Sequence, residues 1–171
     1  LFGAERVIVI DHLEYRLDFV KKYANCEVYN FRSIEDPVLF IKHITNWLGA
    51  DVCIDAVGSD ACGNAMQTIT GKKLLLQAGA ATALHWAVNS VKKGGIVSIV
   101  GVYGPTDNLV PIGNVVNKGI TIRANQTSVK RLLPRLIEHV QSGVLSPKDI
   151  ITHRFSLEEI PDAYRIFSSK L

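Results

Sequence analysis

What most constrains this chain is an alternation of two hydrophobic periods. The continuous apolar run "VIVID" (Val7 to Asp11) gives way to a segment in which Leu13, Leu17, Val20 and Ala24 share one helical face, while Arg16, Lys21 and Lys22 point elsewhere. The first pattern suits a strand buried on both faces of a parallel sheet, and the second an amphipathic helix packed on that sheet. The pair recurs. "CEVYNF" reads as a short strand, and Asp36-Pro37 opens a helix bearing Ile41, Ile44 and Leu48, with Pro37 in the first turn and Gly49 as the stop. "DVCIDAVG" predicts a third buried strand. Leu84, Ala87, Val88 and Val91 predict another helix, stopped by Gly94-Gly95, and "GIVSIVGV" a fourth strand.

The second half continues in the same manner. After the loop "YGPTDNLVP" come a short segment "IGNVVNKG", a strand-like "ITIRAN", and a helix with Val129, Leu132, Leu133, Leu136, Ile137 and Val140 on one side. Pro134 inside that helix predicts a kink or a late start. "THRFSLEEIPDAYRIF" reads as a strand followed by a helix capped by Ser156, with Glu159 as its capping-box partner. Alternation of this kind implies right-handed crossovers and an α/β fold with a doubly wound, mostly parallel sheet of Rossmann type, whose ligands bind at the carboxyl ends of the strands.

Composition narrows the function. With 171 residues, 47% apolar and 20% charged, the chain can bury a sizeable core as one domain. The 19 basic residues against 16 acidic ones are scattered rather than striped, which argues against nucleic acid as a partner. The longest apolar runs fall short of the roughly 20 residues that span a bilayer, and no charged leader precedes an apolar region, so neither a membrane nor an export route is expected. Cys26, Cys53 and Cys62 lack CxxC spacing and support neither a disulfide framework nor a zinc cage; a reducing cytoplasm is the expected location. Cys53 reads as a core residue. His12, His43, His85, His139 and His153 do not pair with one another or with cysteine at metal-ligand spacing.

Chemistry is therefore sought at the strand ends. Asp11 closes the first strand, where an acid can accept hydrogen bonds from ribose hydroxyls and repel a 2′-phosphate, favouring NAD over NADP. A surface acid capping the following helix is the competing reading. Arg16, a helical turn further on, could reach the same ribose or be solvated. "DAVG" and "IVGVYG" end the next strands in small residues, and Gly58 and Gly101 would let a flat ring approach the backbone. Glycine also ends strands for purely structural reasons. Asp55 and Asp60 flank a strand end without defining an acid and base pair.

"GAERVIVIDHLEYRLDFVKKYA", "GADVCIDAVG", "VKKGGIVSIVGVYG", "NKGITIRANQ" and "IITHRFSLEEIPDAYRIF" resemble, in order and spacing, the cofactor-binding half of the zinc-type medium-chain alcohol dehydrogenases. The resemblance covers nearly the whole chain, and the long segment between "DAVG" and "KKGG", together with "GVYG" and "ITHRFSLEEIPDAY", looks most like the formaldehyde-dehydrogenase-like branch. It implies an NAD-binding part of a zinc-dependent alcohol or aldehyde dehydrogenase that moves a hydride from a small alcohol or aldehyde adduct to NAD. Asp11 would hold the adenosine ribose, with Arg16 where many relatives have Lys. Val57 and Gly58 would lie beside the adenosine, Val100, Gly101 and Val102 along the nicotinamide, and Ile122 would offer its backbone to the carboxamide. A homo-oligomer is implied too, formed by joining sheets edge to edge near "TIRAN".

The departures are as informative. In that family the glycine-rich loop precedes "FGAERVIVID", the zinc ligands lie further upstream, and a final strand follows "FSSKL". The resemblance thus implies that residues 1–171 are a partial NAD-binding domain lacking its first, central strand, inactive alone, with zinc and its ligands elsewhere in the parent. A sheet without that strand would leave two edges unpaired. A methyltransferase would share the acid after its second strand but not the closing segment. A non-enzymatic nucleotide-binding or dimerisation domain fits every residue.

Overall fold

The structure is a computed structural model that describes residues 3–24, 26–57, 81–101, 103, 110–125 and 127–169. The chain divides into two units, Phe2–Thr127 and Ser128–Leu171. The first contains, in order, β1 (Ile8–Asp11), α1 (Glu14–Tyr23), β2 (Glu27–Asn30), a 3-10 turn (Phe31–Ser33), α2 (Pro37–Ile44), β3 (Ala50–Asp55), α3 (Ala81–Ser90), β4 (Val91–Ile99), α4 (Ile112–Lys118) and β5 (Thr121–Ala124). Every strand pair among the described residues is parallel, as the alternation predicts: β1 pairs with β2, Val9 opposite Val28, and β3-β4-β5 form a second sheet with Cys53, Val97 and Ile122 in register. No pairing joins β1 to β3 among the described residues.

The core lies under α3. Leu84, Ala87 and Val88 of α3 bury against Val91 and Val97 of β4, and Cys53, Ile99, Tyr103, Val115, Ile120 and Ile122 pack around them. This is the face that the helical spacing of the sequence defines. At roughly 25 cal/mol per Å² of buried apolar surface, full burial of side chains such as Val88 and Val97 contributes about 1.5–3 kcal/mol each. Upstream, α2 starts where its sequence says it should: Asp36 Oδ1 accepts from the Val38 and Leu39 N–H groups at 2.8 and 3.0 Å, and Pro37 occupies the first turn.

Several expectations change. β1 is half-buried rather than buried on both faces, and β3 leaves Val52 49% and Ile54 67% exposed while Asp55 on the opposite face is 2% exposed. The reason is that α3 covers one face of β3 and β4 borders one edge. The helix expected to stop at Gly94-Gly95 ends at Ser90 instead, and both glycines lie inside β4, where the register against β3 shifts between Ala50 and Val52. A Cβ on Gly95 would sit 2.6 Å from Val91 Cγ2 and 2.9 Å from the Asp51 carbonyl oxygen, so the bulge rather than a helix end requires glycine there.

Likewise α2 ends at Ile44, before Gly49, because the Thr45 hydroxyl donates to the Ile41 carbonyl at 2.7 Å and Asn46 and Trp47 turn to positive φ; Leu48 is left 75% exposed. "IGNVVNKG" forms helix α4.

The second unit carries α5 (Val129–Gln141), 3-10 turns at Pro147–Ile150 and Leu157–Glu159, and α6 (Ile160–Ser169). Pro134 lies within α5, which starts at Val129, so the late start is not found. Residues 151–156 form no strand, since a lone extended segment has no ladder to join among the described residues of this unit. The Ser156 capping box does form, with the Ser156 N–H donating to Glu159 Oε2 at 2.8 Å. Leu132, Leu133, Leu136, Ile137 and Val140 share one side of α5, yet each stays at least 40% exposed.

Arg6 ties the start of the first unit together. Its guanidinium pairs with Glu27 of β2, Nη2 donating to Oε2 at 2.9 Å, and Nη1 donates to the Ile44 carbonyl at the end of α2 at 2.5 Å. Hydrogen bonds from Arg6 and from the Tyr29 hydroxyl hold the Glu27 carboxyl down from its ordinary 4.5 to about 2. A carboxyl lowered on folding contributes stability that is complete above its unfolded value and is lost as pH falls through the folded one. Glu27→Gln should therefore flatten the loss of stability between about pH 4.5 and 2, which thermal unfolding followed across that range will test.

Candidate functional site

Chemistry in a parallel sheet collects where the strands end, and both sheets end in acids. At the end of β1, Asp11 Oδ1 accepts from the His12 and Leu13 N–H groups at 2.6 and 3.1 Å, which orders the turn into α1. Its Oδ2 faces Arg16 Nη1 at 3.6 Å, beyond hydrogen-bond length. The two oxygens of Asp11 thus differ: Oδ1 serves the local turn, and Oδ2 lies nearest Arg16. Arg16 is held by Tyr15, whose hydroxyl accepts from Nε at 3.1 Å; that bond, with the nearby Asp11 charge, raises the guanidinium pKa further.

An aromatic trio lies beside Asp11. The His12 ring sits 5.2 Å from Phe31, and Phe31 meets Trp86 of α3 edge-on at 5.3 Å. Asn30, at the end of β2, donates to Glu14 and to the His12 carbonyl oxygen, the latter at 3.4 Å, while its Oδ1 accepts from Arg32 N–H at 2.9 Å. Nothing in the sequence pairs Phe31 with Trp86, because they meet only through the packing of α2 against α3.

The second strand end is built on Asp55. Its backbone carbonyl accepts from Val100 and Gly101 N–H at 2.8 and 2.9 Å, its Oδ1 accepts from Val57 N–H at 3.1 Å, and its Oδ2 accepts from the Tyr103 hydroxyl. Of the sequence-predicted residues, Val57, Val100 and Gly101 are thereby brought together at the carboxyl ends of β3 and β4. A Cβ on Gly101 would lie 2.8 Å from the Val57 carbonyl oxygen and 3.2 Å from Asp55 Oδ1, so glycine is required here by the close approach of the chain's own β3 and β4 ends. Gly58 and Val102 lie outside the described residues. Ile122 is in β5 opposite Val97, with its side chain against the core, on the edge strand of this sheet among the described residues.

Among the described residues no group of three or more His, Cys, Asp or Glu side chains could hold an ion. Burial pushes the Cys53 thiol up to about 11, which keeps it protonated and inert at neutral pH. No helix among the described residues is long and apolar enough to cross a membrane.

Parallel strands alternating with helices define a Rossmann-type α/β unit. The comparisons agree. No protein-family model matches the chain. The uncharacterised zinc-type alcohol dehydrogenase-like protein AdhB of Bacillus subtilis is 37% identical over 171 residues, the whole of this chain and 45% of that protein. Sorbitol dehydrogenase of the same species is 31% identical over 168 residues, 95% of this chain and 39% of its own length. Among solved structures, the alcohol dehydrogenase TADH from Thermus sp. ATN1 superposes with a TM-score of 0.79 at 28% identity, covering 98% of this chain and 42% of that one. The homologues and structural neighbours are thus zinc-type alcohol dehydrogenases, and the chain spans under half the length of those it matches.

The tight packing at Gly101 is open to test. Gly101→Ala would force the Val57 and Val100 segments apart and should destabilise the protein by about 1–3 kcal/mol, seen as a lower urea midpoint at an unchanged denaturant slope.

Proposed function

We propose that this chain is the NAD-binding part of a larger, zinc-dependent alcohol or aldehyde dehydrogenase. The observation that carries the reading is Asp11: a carboxylate at the end of a parallel strand, with one oxygen engaged by the backbone and the other turned toward Arg16 with lone pairs to spare. A ribose diol matches that acceptor, and a 2′-phosphate would be repelled by it. Arg16 supports the same ribose from α1. Val57 and Gly58 line the adenosine side, Val100, Gly101 and Val102 the nicotinamide side, and Ile122 presents backbone groups from the edge of its sheet.

When bound, NAD supplies the hydride-accepting nicotinamide. The residues of this chain bind and orient it. Zinc belongs in this proposal to the remainder of the protein, because the described residues hold no ligand set for it, and no step is routed through the metal. The substrate is a small alcohol or aldehyde. Assignment to the formaldehyde-dehydrogenase-like branch rests on "GVYG" and the closing "ITHRFSLEEIPDAY". The open edge of β5 is the surface through which copies of the protein would join, with Thr121 and Arg123 exposed along it.

Asp11 provides the test. In the full-length protein, Asp11→Gly should lower the ratio of NAD to NADP efficiency (kcat/KM) by about tenfold or more, through loss of charged hydrogen bonds to the diol and removal of the repulsion. Unchanged selectivity in steady-state kinetics with both cofactors would sink the assignment.

A further inference from the structure

We propose that Asp55 and Tyr103 form a positioning pair that sets the distance between the two halves of the cofactor site, with Tyr103 acting on the nicotinamide half. The proposal rests on the NAD-binding reading above and deepens it, since neither residue is assigned a role there.

Asp55 is 2% exposed, and a carboxylate so placed must be matched by donors. Those donors come from both strand ends. Val57 N–H, on the segment leaving β3, donates to Oδ1 at 3.1 Å, and the Tyr103 hydroxyl, on the segment leaving β4, donates to Oδ2. The Asp55 backbone carbonyl takes a further pair of hydrogen bonds from Val100 and Gly101 N–H. One residue therefore fastens the adenosine-side segment and the nicotinamide-side segment to the same point.

The fit leaves little slack. The position a Gly101 Cβ would occupy lies 2.8 Å from the Val57 carbonyl oxygen, 3.2 Å from Asp55 Oδ1 and 3.3 Å from Tyr103 Cε2, so the three groups close around that glycine. The Tyr103 ring also packs against the cluster under α3, which anchors it independently of its hydroxyl. Replacing Tyr103 by Phe would keep the ring and its packing while removing one donor from a buried carboxylate. The Tyr103 end of the segment would then lose its bond to the Asp55 carboxylate, whereas the Val57 bond to Oδ1 and the Val100 and Gly101 bonds to the Asp55 backbone carbonyl would persist. A general structural role would weaken every ligand alike; a positioning role on one segment weakens the ligand half that rests on it.

The experiment compares NADH with ADP-ribose, which shares everything but the nicotinamide, by titration calorimetry on the full-length protein, with thermal unfolding alongside. Tyr103→Phe is expected to weaken NADH about tenfold, as befits a lost hydrogen bond to a charged group, and to leave ADP-ribose unchanged. Unchanged NADH affinity, or equal losses for both ligands, overturns the proposal and leaves the NAD-binding reading standing. Absence of binding of either ligand to the unsubstituted protein overturns that reading, and the proposal with it. Should Tyr103→Phe fail to fold, Tyr103→Leu is read by the same criteria, because it removes the same hydroxyl and leaves the Asp55 bonds to Val57, Val100 and Gly101 in place. If neither variant folds, the pair is a folding requirement and selective positioning is overturned.

Discussion

The burial of Val97 between β3, β5 and α3 is the constraint on which the rest of the first unit depends. None of its surface is exposed, and its register partners are Cys53 on one side and Ile122 on the other. Parallel strands cannot be joined by a hairpin, so each must be returned by a crossover, and α3 is the crossover that lands on Val97. Once Leu84, Ala87 and Val88 have docked there, the carboxyl ends of β3 and β4 lie side by side. The site residues follow from that adjacency.

At those ends polar groups take over from packing. Asp55 shows how a buried charge can be used to fix geometry: its hydrogen bonds hold both strand ends in place, and removing a donor would expose the full desolvation cost of what remains. Asp11 works differently. It is partly exposed, spends one oxygen on the local turn, and keeps the other directed outward with Arg16 beside it. One acid ties the ends of β3 and β4 together, and the other orders the turn into α1.

The apolar surface that stays exposed has the same origin. Val52 and Ile54 point from β3 to the face that α3 does not cover, and α5 shows a stripe of leucine, isoleucine and valine at least 40% exposed. Both have the periodicity of surfaces meant for burial. The chain spans under half the length of the zinc-type alcohol dehydrogenase-like protein AdhB and of the alcohol dehydrogenase TADH.

The sequence by itself determined the α/β class, the parallel sheet, the start of α2 at Asp36, the face of α3 and the candidacy of Asp11 and Gly101, because each depends on local periodicity or on a residue's own stereochemistry. It misread the ends of α2 and α3 and the closing segment, where hydrogen bonds and strand pairing outweighed the glycine and proline signals: Thr45 stopped one helix, the bulge at Gly94-Gly95 lies within β4, and residues 151–156 had no ladder to join. Only the tertiary structure decided that Asp55, Val57, Gly101 and Tyr103 meet at one point, and that Phe31 reaches Trp86. Those partners are far apart along the chain, and what brings them together is the crossover geometry of the sheet, which no local pattern of residues encodes.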